Sequence, residues 1–341
     1  MAASGSSGAP GYARPSRGDG LRRFALHTVT TKPWPIETAI DAYARAGFGG
    51  ISIWREALQD RADAAIRRQV REAGLVGVSL VRGGFFAGAD AHVRARALEE
   101  NRLCIAEAAE LELPLLVLVC GADPNQSPAE SRRQIVDALV ALAPEAQAAG
   151  VHLGIEPLHP MYADTRSAVN TLTDAVDMAV ESGGGAGAAP APGAAATERG
   201  AGPAVRGGET AARGERTNEA RREAGGKATA STHPTLRTVC TVVDAYHLWW
   251  DPRLEGEIRR AGREGVLGAF HVSDWKVPTE DLLLDRGLMG EGCIDLPGIR
   301  RSVDAAGFDG FIEVEIFSRQ YWNLDQAEWL GMIAQGCRES V

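Results

Sequence analysis

Short apolar runs alternate with longer stretches of helical period along most of this chain. Eight runs read as strands: FALHTV (24–29), GISIW (50–54), VGVSLV (76–81), LLVLVC (115–120), VHLGIE (151–156), RTVCTVVD (237–244), GAFHV (268–272) and FIEVEIF (311–317). Their length and aliphatic content suit parallel strands covered on both faces. Between them lie candidate helices, including IETAIDAYARAG (36–47), ADAAIRRQVREAG (62–74), DAHVRARALEENRLCIAEAAELE (90–112) and SRRQIVDALVALAPEAQAAG (131–150). Several end in Ala-Gly, and glycine is a common helix stop leading back into a strand. Eight such βα units predict an α/β fold, a closed (β/α)8 TIM barrel forming a single domain. An open doubly wound sheet would usually carry a Gly-rich loop after its first strand, and HTVTTKPWP (27–35) has none.

One stretch breaks the alternation. Of the 50 residues from 183 to 232, 27 are Gly or Ala, and Val205 is the only Val, Leu, Ile, Met or aromatic residue. Such a segment cannot bury enough apolar surface to offset its ordering entropy, so it reads as a disordered low-complexity insertion. Residues 1–20 read as a disordered tail without the apolar core of a signal peptide. The barrel is therefore expected over 21–182 and 233–341, whose 271 residues match the size of such a domain.

The net charge of −9 falls to −12 when tail and insertion are set aside, which excludes a nucleic-acid binder working through a basic surface. No run is long and apolar enough to span a membrane. The five cysteines (Cys104, Cys120, Cys240, Cys293, Cys337) lack CxxC spacing, so buried, inert thiols in a reducing cytoplasm are expected. GGGAG (183–187) lacks the Lys-Ser/Thr of a phosphate loop, and no G-x-S-x-G elbow is present.

In a barrel of this kind the chemistry comes from the C-terminal ends of the strands. Reading those ends gives Glu156, Asp244, His271 and Glu315 on the fifth to eighth runs. Three carboxylates converging with one imidazole would repel one another, and a divalent ion (Mn²⁺, Mg²⁺, Co²⁺ or Zn²⁺) is the simplest neutraliser. Each residue also has a structural reading. Glu156 precedes Pro157 and could cap a loop, Asp244 could be a helix N-cap, and His271 could be a hydrogen-bonded core histidine. Glu313 shares a strand face with Glu315, so either could point inward. The joint placement at four successive strand ends favours the ion.

The segments IEPLHP (155–160), VVDAYHLWWDP (242–252), FHVSDW (270–275), MGEGCIDLPGI (289–299) and GFDGFIEVEIFS (307–318) also resemble the xylose isomerase-like TIM-barrel family of sugar phosphate isomerases and epimerases. The separations of 27 residues from Asp244 to His271 and 44 from His271 to Glu315 fit that resemblance. The 88 from Glu156 to Asp244 fit once the insertion is subtracted. The resemblance implies a metal held by Glu156, Asp244, His271 and Glu315, with Glu156 and Glu315 also acting as an acid/base pair on a ketose. It implies that His247, in D-x-x-H, contacts a substrate oxygen and that Arg286 binds substrate. The alternatives are a histidine capping the Trp249–Trp250 segment and a surface arginine in a salt bridge.

Asp274 could orient a ligand or neighbouring strand. Trp54, Arg55, Arg82, His159 and Tyr162 sit at or beyond strand ends, where they suit a sugar and are equally explained by packing at the mouth. The function expected is a cytoplasmic metal-dependent isomerase or epimerase in carbohydrate metabolism, acting on a small-molecule sugar, inosose or keto-polyol, with homo-oligomerisation left open. The same barrel and metal could instead serve dehydration or C-glycoside cleavage. An endonuclease IV-like nuclease would need more histidines and a basic surface, and a non-catalytic sugar-binding subunit would not need intact ligands.

Overall fold

The protein is represented by a computed structural model that describes residues 20–59, 63–183 and 235–341. Apart from Gly20 and Gly183 at their edges, the tail and insertion read from the sequence lie outside the described residues. Eight strands close into one parallel barrel: β1 (Phe24–His27), β2 (Gly50–Trp54), β3 (Val76–Gly84), β4 (Leu115–Val119), β5 (His152–Ile155), β6 (Val239–Asp244), β7 (Leu267–Val272) and β8 (Ile312–Val314). β8 pairs with β1 through Phe24–Ile312, Ala25–Glu313 and Leu26–Val314. A side chain holds the same seam, because Thr30 Oγ1 donates to the Val314 carbonyl at 3.1 Å and accepts the Ile316 amide at 3.0 Å.

The strands are followed by helices α1 (Ile36–Ala46), α2 (Asp63–Glu72), α3 (Ala91–Glu110), α4 (Pro128–Ala149), α5 (Leu172–Gly183), α6 (Leu254–Glu264), α7 (Leu296–Ala305) and α8 (Gln326–Glu339). α4 begins three residues before the stretch read from periodicity, because Ser127 Oγ accepts the Glu130 amide at 3.1 Å and Pro128 occupies the first turn. Its stop is as expected: Gly150 takes the left-handed conformation at φ 72°.

Strand alternation sorts the core into two layers. On β4, Leu115 and Val117 pack with Val81, Cys240, Val242 and Ala269 from other strands, whereas Leu116 and Leu118 join the larger cluster under the helices. Four cysteines are buried as expected, but Cys293 is exposed. It sits in the loop between β7 and α7, where no layer of the fold covers it. That loop also contains a two-stranded antiparallel ribbon, Asp274–Trp275 with Arg286–Gly287. Among the described residues no helix is long and apolar enough to cross a membrane.

Candidate metal centre and active site

The four ligand candidates meet at the C-terminal mouth. Glu156 follows β5, with its amide still donating to Leu118 O on β4 at 3.1 Å. Asp244 is the last residue of β6, and in register with it stands His271 on β7. Glu315 follows β8, its amide bonded to Val272 O at 3.1 Å. All four are buried, and one ligand atom from each lies within 4.8 Å of the others. Donors bonded at about 2.1 Å to a common ion stand at most about 4.2 Å apart, so a small closure completes the shell. Three carboxylates and one imidazole are a donor set for a divalent ion, and the residues fit one.

The structural readings of these residues also hold, on other atoms. Asp244 Oδ1 accepts the Tyr246 amide at 2.8 Å and caps the turn Ala245–Leu248, while Oδ2 faces Arg286 Nη1 at 3.3 Å. His271 Nδ1 lies 3.0 Å from Glu156 Oε1, and its Nε2 points the other way, 3.7 Å from Glu313 Oε2. One side of the ring therefore faces the mouth and the other the barrel interior.

Arg286 is buried inside the ligand set rather than on the surface. Its Nη1 donates to Glu315 Oε2 at 3.0 Å and to the Glu315 carbonyl at 3.2 Å, and its Nη2 donates to His247 Nε2 at 3.1 Å. A guanidinium only donates, so His247 Nε2 accepts and the ring proton sits on Nδ1, a buried atom without a partner among the described residues. Burial and the nearby Arg286 charge push the His247 pKa well below its usual value, in keeping with a neutral ring.

The carboxylates carry the strain of burial unequally. Burial raises Asp244 to about 7 against the pull of Arg286, and Glu156 and Glu315 add to the rise. Glu315 is lowered despite burial, because His27, Arg286 and His271 surround it and Trp54 Nε1 donates to Oε1 at 3.2 Å. For His271, burial is outweighed by Glu313, Glu156 and Glu315, and its pKa rises to about 10. Without a metal the imidazolium supplies positive charge; a dication would take over that role and displace the proton.

The family model that describes the xylose isomerase-like TIM barrel matches residues 40–183 and 235–336. The chain belongs to that family. Protein SMc04130 from Sinorhizobium meliloti 1021 is similar in structure at a TM-score of 0.75 and 35% identity, covering 93% of this chain and 98% of its own. An IolI protein with a bound zinc atom has the same fold at a TM-score of 0.67 and 17% identity, covering 92% of this chain and 96% of its own. D-psicose 3-epimerase in the presence of D-fructose does so at 0.63 and 15%, covering 92% and 95%. A search among curated proteins gives no match. The xylose isomerase-like fold and its sugar-epimerase neighbours agree with the expected class of barrel.

Other residues singled out from the sequence divide by position. Trp54 and Tyr162 border the site, since the Tyr162 ring packs edge-on to His247 at 6.0 Å. His159 stacks near Trp275 at 5.1 Å. Arg55 faces α3, bonded to Glu107 at 2.6 Å and Glu100 at 2.8 Å. Asp274 accepts the amides of Trp275 (2.8 Å), Gly290 (3.0 Å) and Ile294 (3.0 Å), so it braces the loop that presents Arg286 rather than orienting a ligand.

Beneath the mouth lies a group that the sequence reading missed. Glu313 Oε2 accepts from Ser52 Oγ at 2.6 Å and Ser79 Oγ at 2.7 Å, with His27 Nε2 at 3.3 Å. Although burial opposes it, the His271 and His27 rings and the Ser52 bond hold Glu313 down at about 2. A signal was present: His27, Ser52 and Ser79 are polar residues inside three successive strand runs, where solvent gives them no reason to be. Both alternatives for Glu313 and Glu315 are realised, since both point inward at different depths.

Proposed function

We propose that this protein is a divalent-metal-dependent isomerase or epimerase acting on a sugar or related keto-polyol by proton abstraction beside a carbonyl. The observation that carries this reading is the convergence of Glu156, Asp244, His271 and Glu315 at the mouth. Among structures of the same fold, the IolI protein holds zinc and the D-psicose epimerase was solved with a ketose, which supports the pairing of metal and ketose here.

A C–H beside a carbonyl is too weak an acid for an isolated carboxylate at neutral pH. A divalent ion held by Glu156, Asp244, His271 and Glu315 would supply positive charge beside the carbonyl and so make that C–H more acidic. Glu156 and Glu315 follow β5 and β8, with β6 and β7 between them, so they flank a substrate lying over the centre. One glutamate removes the proton, and the other returns it from the opposite face to give epimerisation. Return to the neighbouring carbon gives aldose–ketose isomerisation. Arg286 and neutral His247 bind substrate oxygens as donors, and Trp54 holds the Glu315 carboxylate in position.

The test is proton exchange in D₂O across a panel of ketoses, inososes and keto-glycosides, followed by NMR and product mass. Metal-dependent deuteration beside the carbonyl with product mass otherwise conserved is expected, and Glu156→Gln or Glu315→Gln should abolish it. Loss of water or of an aglycone would overturn isomerisation in favour of elimination. Exchange that survives both substitutions would overturn the residue assignment.

A further inference from the structure

Two arginines at the mouth remain unused by this mechanism. Arg82, on β3, lies with its guanidinium 5.9 Å from the Trp54 ring centre and 4.8 Å from that of Phe85. Trp54 is the residue that donates to Glu315, so Arg82 stands one ring away from the reacting centre. Arg166 lies 5.4 Å from the centre of Tyr162, the ring packed against His247. The backbone brings the two segments together at Gly121. The Gly121 amide donates to Arg166 O at 2.9 Å, and a Cβ at Gly121 would come within 2.9 Å of Phe85 Cα. With φ at +89°, this position admits little but glycine, so the turn that follows Arg82 on β3 and the loop carrying Arg166 meet at the end of β4.

Ion pairs on the barrel flank, such as Arg55 with Glu107 and Arg133 with Glu130, have no counterpart at Arg82 or Arg166 among the described residues. Among the described residues Arg82 Nε is buried without a hydrogen-bond partner. Burial and the charge of Arg166 lower the Arg82 pKa, against the pull of Glu56 and Glu156. Two like charges on one rim, one with an unused buried donor, call for an anion. Glu56 and Glu156 attract Arg82 only through space, with no ion pair to it among the described residues, and Glu156 is shared with the expected dication.

We propose that Arg82 and Arg166 form an anion subsite that selects substrates carrying a phosphate ester or carboxylate on the carbon furthest from the reacting carbonyl. This rests on the isomerase or epimerase reading and narrows its substrate class to acidic sugars. The aromatic faces of Trp54, Phe85 and Tyr162 hold the guanidiniums over the mouth, and the sugar chain spans from there to the metal centre.

Calorimetric binding to the metal-loaded full-length protein tests it with three probes of one carbon skeleton: D-fructose, D-fructose 6-phosphate and D-fructuronate. At least one anionic probe should bind about 10- to 100-fold more tightly than D-fructose, and whichever of the two does so identifies the anion as phosphate or carboxylate. Arg82→Gln/Arg166→Gln should erase that preference while D-fructose affinity stays unchanged, and Arg82→Lys/Arg166→Lys should restore part of it. Equal binding of all three probes, or a preference that survives the double Gln variant, would overturn the subsite. Binding is read without turnover, so the two readings fail separately. Anion preference without proton exchange leaves the subsite and removes the isomerase; exchange without anion preference does the reverse.

Discussion

Two buried glutamates, two residues apart on the same strand end, are held by different partners. Glu313 is closed in by the hydroxyls of Ser52 and Ser79 and by His27, and its charge is settled within the barrel. Glu315 shares its oxygens among Arg286, Trp54 and His27 at the edge of a cluster that holds two more carboxylates. In the lower layer the hydroxyls bond to Glu313 Oε2, while Glu313 Oε1 is buried without a hydrogen-bond partner among the described residues; the upper layer gathers three carboxylates around one imidazole and one guanidinium. Depth in one barrel thus separates a carboxylate bonded to serine hydroxyls from the carboxylates that the proposed chemistry uses.

The sharpest way to break this contrast is to neutralise the upper glutamates. Glu315→Gln or Glu156→Gln should lower turnover by roughly 10²- to 10⁴-fold with little change in melting temperature. A large drop in Tm with retained activity would move these residues into the structural class. Glu313→Gln should act the other way round. It should cost about 1–3 kcal/mol in denaturant unfolding, because Ser52 and Ser79 lose a charged acceptor. By loosening His271 from behind it should also weaken metal binding by roughly 10- to 100-fold. Unchanged stability and metal affinity would show that the lower network supports nothing above it.

A pH series sharpens the same division. His271 is raised from 6.5 to about 10 in the folded protein, so its contribution to stability is whole below about pH 6.5 and is lost as pH climbs toward 10. Asp244, raised from 3.8 to about 7, acts in the same direction over that lower window. Metal-free protein should therefore lose stability between about pH 7 and pH 9.5, by up to about 1.4 kcal/mol per unit. Metal binding needs both groups deprotonated, so the gain in Tm on adding Mn²⁺ should grow from about pH 6 to pH 8. Scanning fluorimetry with and without chelator reads both slopes, and a flat metal-free profile would contradict the assignment of His271. Arg55→Ala is the smallest expected effect. It removes partly exposed ion pairs to Glu100 and Glu107, and should cost less than about 1 kcal/mol with unchanged turnover.

The barrel and the upper ring were legible because both rest on local signals. Alternation of apolar runs with helical periods sets the fold, and each proposed ligand is an acidic or imidazole residue at or near the end of an apolar run. The exact strand limits were not legible: the seven-residue run at 311–317 contributes only Ile312–Val314 to the barrel, although the Glu315 amide still bonds to Val272 O. The lower network was hidden for a different reason. Ser52 and Ser79 bond to Glu313 across 261 and 234 residues of sequence, a pairing that only the closed barrel creates. Arg286 was read as either a substrate group or a surface residue, since a loop sequence carries no sign of its own burial; Asp274, which pins that loop, decides it.

The most direct test of the metal centre is a crystal structure of the protein with Mn²⁺, located by its anomalous signal. One peak per chain is expected, about 2.0–2.3 Å from His271 Nδ1 and from one oxygen each of Glu156, Asp244 and Glu315, with His271 Nε2 still turned to Glu313. A mouth without a peak at millimolar Mn²⁺, or a peak bound by other residues, would contradict it.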